Sequence, residues 1–181
     1  MKKMVVFMCL LLLMLFCFAG CSADVSAKMS EKSNANYFRI HIRANSNLEV
    51  DQNTKYYIKD VVVTFLKPYL KDCKNKVKAM TIVSGKLNAV NSIVNFALAD
   101  KGFYYGSRCR IDNEFFPTKT YDDLTLNAGF YDALIIELGG GQGQNWWCVI
   151  YPNICFNEPT NVVYKSKIKE IIDKARGGNN E

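Results

Sequence analysis

The sequence predicts an α+β fold with an N-terminal strand, two or three helices and then a C-terminal antiparallel sheet. Three observations carry this. A short run of alternating side chains opens the domain near Tyr37, and two stretches between Asp51 and Gly102 repeat their apolar residues at three- and four-residue spacing. From Phe103 onward the chain turns to aromatic and β-branched runs broken by turn residues. With 181 residues, 49% of them hydrophobic, the chain has enough material for one core.

The N-terminus comes first. Met1-Lys2-Lys3 is a short positive region, and Met4 to Gly20 is apolar without interruption, followed by polar Ser22 and Asp24. This is the pattern of an export signal. The competing reading is a retained membrane anchor, because the run sits at the lower edge of what spans a bilayer. Phe18-Ala19-Gly20-Cys21 resembles a bacterial lipoprotein box, which makes Cys21 a lipidation candidate. Membrane association through the N-terminus is therefore expected, with the rest of the protein outside the cytoplasmic membrane. The organisation reads as a signal peptide or anchor over residues 1–20 and a flexible polar tether over 21–36. A folded domain follows over 37–160, then a basic C-terminal helix and tail over 161–181.

Within the domain, Tyr37-Phe38-Arg39-Ile40-His41-Ile42-Arg43 alternates with the period of a half-buried strand and stops at Ala44-Asn45-Ser46-Asn47, a turn cluster. Ile58, Val61, Val62, Phe65, Leu66, Tyr69 and Leu70 define one helical stripe, ended or kinked near Pro68. Residues 77–83 fit a strand or a short helix. Leu87, Val90, Ile93, Val94, Ala97 and Leu98 form a second stripe closed by Gly102. Four strands are then expected over 103–116, 124–126, 130–138 and 145–151. Asn127-Ala128-Gly129 is read as a hairpin connection, and the Gly139-Gly140-Gly141-Gln142-Gly143 run as another between the third and fourth of these strands. Residues 162–175 form a basic amphipathic surface helix.

The chemistry is sparse. A net charge of +6 without a dense Lys/Arg cluster argues against nucleic-acid binding. His41 is the only histidine and the cysteines lack paired zinc spacing, so no metal site and no cofactor is expected. The glycine run lacks the Lys-Ser/Thr of a nucleotide loop. Asp122-Asp123 reads as a solvated turn. Cys148 and Cys155, either side of Pro152, are the disulfide candidate in an oxidising compartment, while the pairing of Cys73 and Cys109 stays open. The one nucleophilic arrangement available is a Cys148/His41 dyad, which defines the rival reading of a secreted cysteine hydrolase acting on the cell wall. Trp146 and Trp147 must split across the sheet, one inward and one toward the surface, where an aromatic anchors a partner.

Three segments carry a resemblance. Residues 116–126 (Phe-Pro-Thr-Lys-Thr-Tyr-Asp-Asp-Leu-Thr-Leu), Ala128 to Leu134, and Gly143 to Cys148 with Cys155-Phe156 resemble stage II sporulation protein R of endospore-forming bacteria. Ile42-Arg43-Ala44-Asn45-Ser46 with Asp51-Gln52 is similar to the start of that family's domain. The resemblance implies that residues 77–83 are helical. It implies a protein made in the forespore and exported across its membrane into the intermembrane space. There it switches on a membrane-embedded aspartic protease of the mother cell, which cleaves the sigma-E precursor. It implies a ligand and not an enzyme. The partner-binding candidates on the expected aromatic and polar surface are Arg43, Asn45, Lys119, Tyr121, Asn145 and one of Trp146 and Trp147. Asn127 departs from the family's usual proline, and the glycine run stands where a more charged loop is usual.

Overall fold

Strand β1 (Phe38–Arg43) forms where the side chains alternate and lies inside the main sheet, with a neighbour on each side. The computed structural model describes residue 34, residues 36–156 and residues 165–177; the leader, Cys21 and most of the tether fall outside them. After β1 come three helices, α1 (Glu49–Leu70), α2 (Lys76–Gly85) and α3 (Leu87–Asp100). Glu49 and Asp51 place negative charge in the first turn of α1, where the helix dipole favours it, and the helix ends two residues after Pro68, near the break expected there. The segment that fits either strand or helix is α2, opened by the Asn75 side chain, which accepts a hydrogen bond from the Lys78 amide at 2.8 Å. Gly102, at φ 80°, ends α3 as expected.

The strands follow: β2 (Ser107–Phe116), β3 (Lys119–Tyr121), β4 (Leu124–Leu126), β5 (Gly129–Leu138) and β6 (Asn145–Tyr151). The main sheet runs β2-β5-β1-β6, and β3 with β4 makes a separate two-stranded ribbon. The α+β class holds, with the sheet antiparallel except for the central β1/β5 pair, which is parallel. A short 3-10 turn (Ile154–Phe156) and helix α4 (Lys165–Gly177) complete the described chain.

Three local expectations are corrected. The glycine run is not a hairpin connection, since β1 lies between β5 and β6 and the loop has to cross its end. Asn127-Ala128-Gly129 is not a hairpin turn either: β4 pairs back on β3 through Asp122-Asp123, and Asp122 takes the left-handed conformation (φ 47°) that Asp tolerates. The last helix is not merely superficial, because Ile168, Ile171 and Ile172 are buried in the main core.

That core lies on one side of the sheet. Ile40 and Ile42 of β1, Leu134 and Ile136 of β5, and Cys148 and Ile150 of β6 face Val61, Val62, Phe65 and Leu66 of α1 and Val90, Ile93, Val94 and Ala97 of α3. The opposite face carries a smaller apolar cluster of Phe116, Leu126, Tyr131, Ala133, Ile135 and Val149, roofed by the β3–β4 ribbon. The polar residues of the alternating strands therefore point into a second layer as well as into water.

Candidate functional site

The face without helices holds most of the chemistry. Register places Arg39, His41 and Arg43 of β1 beside Val149, Trp147 and Asn145 of β6, and beside Ala133, Ile135 and Glu137 of β5. Arg39 is fully buried. Its guanidinium carbon stands 4.2 Å from the Phe116 ring centroid and 4.8 Å from that of Tyr131, and one amino group donates to the Tyr121 hydroxyl at 2.6 Å. No carboxylate pairs with Arg39 among the described residues, and its Nε and Nη1 have no hydrogen-bond partner. Burial lowers its pKa, opposed by the Tyr121 phenol.

Beside this aromatic box runs an ionic chain. His41 Nδ1 lies 2.7 Å from Glu114 Oε2; Arg43 donates to the other Glu114 oxygen and, at 2.6 Å, to Glu137. Arg110 closes the chain on Glu137 at 2.9 Å. Burial holds the His41 pKa below its usual value, against the pull of Glu114. The ring is then neutral, Nδ1–H donates to Glu114, and Nε2 is left buried without a partner. Trp147 stacks on His41 with centroids 5.5 Å apart, its own Nε1 is buried and unpaired, and Lys119 Nζ lies 4.5 Å from the Trp147 ring centroid.

A second cluster ties the loops at the end of β1. Asp51 accepts from Asn45 Nδ2 (2.9 Å), Ser46 Oγ (2.5 Å) and the Tyr105 hydroxyl (2.6 Å). Burial works against its ionised form, but these donors outweigh it and hold the carboxyl below the usual range. Asn45 also accepts from the Gly140 amide through its side chain and from the Gln142 amide through its main chain. Gln144 N bonds to Asn47 Oδ1, and buried Lys55 donates to the Gln144 carbonyl. A Cβ on Gly143 would collide with the Ser46 carbonyl oxygen, so glycine is required by close approach there.

The sequence candidates separate accordingly. Lys119, Tyr121 and Trp147 gather on the ribbon-covered face, and exposed Asn145 lies at its rim opposite Arg43. Arg43 is engaged in the ionic chain and Asn45 in the loop cluster. Trp146 points the other way, half-buried against the helix-side core. Cys148 and Cys155 are joined in a disulfide with Cα atoms 5.9 Å apart, and Cys73 and Cys109 are free. Cys148 faces the helices while His41 faces the ribbon, so the Cys148/His41 dyad is not assembled. Among the described residues no group of His, Cys, Asp and Glu side chains is arranged to hold a metal ion, and no helix is long and apolar enough to cross a membrane.

Sequence reasoning missed Arg39 and Glu114. Both stand at polar positions of alternating strands, which alternation assigns to solvent. The available signal was the aromatic density of residues 115–131, more than one apolar face can absorb.

The domain is a helix-backed sheet whose other face bears cations among aromatic rings beneath a short ribbon. The comparisons agree on the family. Residues 34–161 match the family model described as stage II sporulation protein R (spore_II_R). The chain is 31% identical to stage II sporulation protein R of Bacillus subtilis (strain 168) over 177 residues, 96% of this chain and 78% of that protein. The chain belongs to the stage II sporulation protein R family, and its role is in sporulation. No solved structure matches it.

Proposed function

We propose that this protein is an exported sporulation signal that activates a membrane-embedded aspartic protease of the mother cell and so leads to processing of the sigma-E precursor. Lys119 carries the reading: a partly exposed cation without a carboxylate partner among the described residues, 4.5 Å from the Trp147 ring centroid and on the same sheet face as partly exposed Tyr121, above the enclosed Arg39. The Trp147 indole, stacked on His41 and flanked by Lys119, keeps part of its surface open on this face, which suits an aromatic anchor for another molecule. A protease segment carrying acidic and planar groups would meet Lys119, Tyr121 and the open part of Trp147, with Arg39 enclosed beneath them. Binding activates the protease only insofar as it favours the active state over the inactive one.

Reconstitution tests this. The protein, the protease and the sigma precursor are co-expressed in a non-sporulating host, and precursor cleavage is scored by immunoblot. Cleavage is expected with the unaltered chain, lost with Trp147→Ala or Lys119→Gln, and retained with Asp123→Asn in the exposed ribbon turn. If Trp147→Ala and Lys119→Gln are exported, folded and fully active, this face is not the one used. The hydrolase reading lacks a comparable geometry, because its nucleophile is in a disulfide and its base lies across the sheet.

A further inference from the structure

We infer that the free edge of β2 pairs with β2 of a second copy of this chain, joining two main sheets into one around a two-fold axis at Ile111. β2 is ten residues long and has a single neighbour, β5. Its outward main-chain groups belong to the odd positions: the Ser107 amide is capped by Asn95 Oδ1 at 2.7 Å, and the Asn113 amide turns back to its own neighbour Asp112 at 2.8 Å. Cys109 and Ile111 between them present their amides and carbonyls at the edge. A strand of this length and exposure is a template for another strand.

The charges select the partner and the register. Arg108 and Arg110 occupy the first half of β2, Asp112 and Glu114 the second, all on the ribbon-side face. An antiparallel pair centred on Ile111 sets Arg108 opposite Glu114 and Arg110 opposite Asp112, in both directions. Centring on Arg110 or Asp112 sets that residue against itself; centring on Cys109 opposes two arginines, and on Asn113 two acids. Among two-fold registers centred from Cys109 to Asn113, only the one at Ile111 opposes unlike charges throughout. It also aligns the outward-facing odd positions with each other, as a hydrogen-bonded antiparallel ladder requires. Arg108 is exposed and has no ion-pair partner among the described residues, so this pairing supplies one.

The apolar surface agrees. On the helix side, Phe115 and Phe130 meet edge to face at 5.7 Å and are 55% and 64% exposed. In this register Ser107 of the second copy lies opposite Phe115. Because α3 is held to Ser107 through Asn95, the second copy's α3 arrives over that aromatic pair, and its half-exposed Phe96 is the residue next to Asn95. The contact is isologous and therefore closes at two copies. Both ribbon-bearing faces end on the same side of the joined sheet, which makes the pair bivalent toward any partner of that face. The pairing itself does not depend on the protease reading.

The test uses the full-length exported chain carrying Asn113→Cys, oxidised with copper phenanthroline until the slowly reacting Cys109 thiol has had time to pair, as judged by its labelling rate in the parent. In the proposed register the introduced thiol lies opposite Cys109 of the other copy, whereas on one strand the two positions are about 13 Å apart and cannot bridge. A disulfide-linked dimer on a non-reducing gel is expected. It should disappear when Cys109→Ser is added and fall at least tenfold with Arg108→Glu, whose circular dichroism should match the parent's. Absence of the dimer, its survival without Cys109, or indifference to Arg108→Glu with the fold intact overturns the proposal. Since the chain is assayed alone, the result is separate from whether any protease is activated.

Discussion

The guanidinium of Arg39 lies 4.2 Å from the ring centroid of Phe116, wholly out of solvent and without an acid to balance it among the described residues. A buried charge of this kind costs desolvation energy that ring contacts and one phenol hydrogen bond offset only in part. Arg39→Met, which keeps volume and removes charge, is therefore expected to leave stability within about 1.5 kcal/mol of the parent or to raise it. Arg39→Ala, which leaves a cavity, should lose about 2–5 kcal/mol. Urea unfolding followed by tryptophan fluorescence separates the two. Equal losses would mean that the aromatic box outweighs desolvation.

Stability should fall in acid in two windows. His41 has a folded-state pKa lowered below 6.5 by burial, so between that pKa and 6.5 the unfolded chain binds a proton the folded one refuses. Stability is full above 6.5 and declines as pH drops from there. Asp51 also has a depressed pKa, so its contribution is present above 3.8 and is lost as pH falls through the folded value. Asp51→Asn should be less stable at neutral pH but flatter below pH 3.8, while the His41 window persists. Thermal unfolding at a series of pH values reads both. An unchanged acid limb in Asp51→Asn would show that the loop cluster does not hold the carboxyl ionised.

What could be read from sequence was what periodicity encodes. The stripes of Val61, Phe65 and Leu66 and of Val90, Ile93 and Val94 gave α1 and α3, because three- and four-residue spacing has one physical cause. Strand pairing has no such local signature. Nothing near Gly139 announces that β1 will insert between β5 and β6, since that neighbour lies almost a hundred residues earlier. The same non-locality hid the ionic chain, in which His41 and Glu114 are 73 positions apart. Lys119, Tyr121 and Trp147 were singled out because rare aromatics and cations near turns stand out on their own, and the structure brings them to one face. Arg39 was not, because alternation assigns every second residue to water and cannot foresee a ribbon folding over it.

Two glycines should respond oppositely to the same substitution. Gly143→Ala drives a Cβ into the Ser46 carbonyl oxygen, a main-chain group that cannot step aside without breaking the loop cluster. A loss of about 2–4 kcal/mol is expected. At Gly85, the last residue of α2, an added Cβ meets nothing within 4 Å. Gly85→Ala should gain about 0.4–1 kcal/mol by restricting the unfolded chain. Both values come from urea midpoints at constant slope. A tolerated Gly143→Ala would show that the crossing over β1 is looser than its hydrogen bonds indicate.

The Cys148–Cys155 bridge ties the middle of β6 to the 3-10 turn and closes a short ring, with a sequence separation of 7. By loop entropy a ring this small contributes about 2.5 kcal/mol. Both cysteines are also buried in the helix-side core, so their side chains keep their packing value even when reduced. Cys148→Ala with Cys155→Ala should therefore lose at least about 2.5 kcal/mol, more than reduction of the parent alone. Thiol labelling of the unreduced protein supplies the companion measurement. Unfolded and mapped by mass spectrometry, Cys73 and Cys109 should label while Cys148 and Cys155 do not. In the folded protein Cys109 should label slowly, its thiol pushed up to about 12 by burial. Labelling of Cys148 without reductant would put a free thiol back in the helix-side core and remove the ring from the stability of β6.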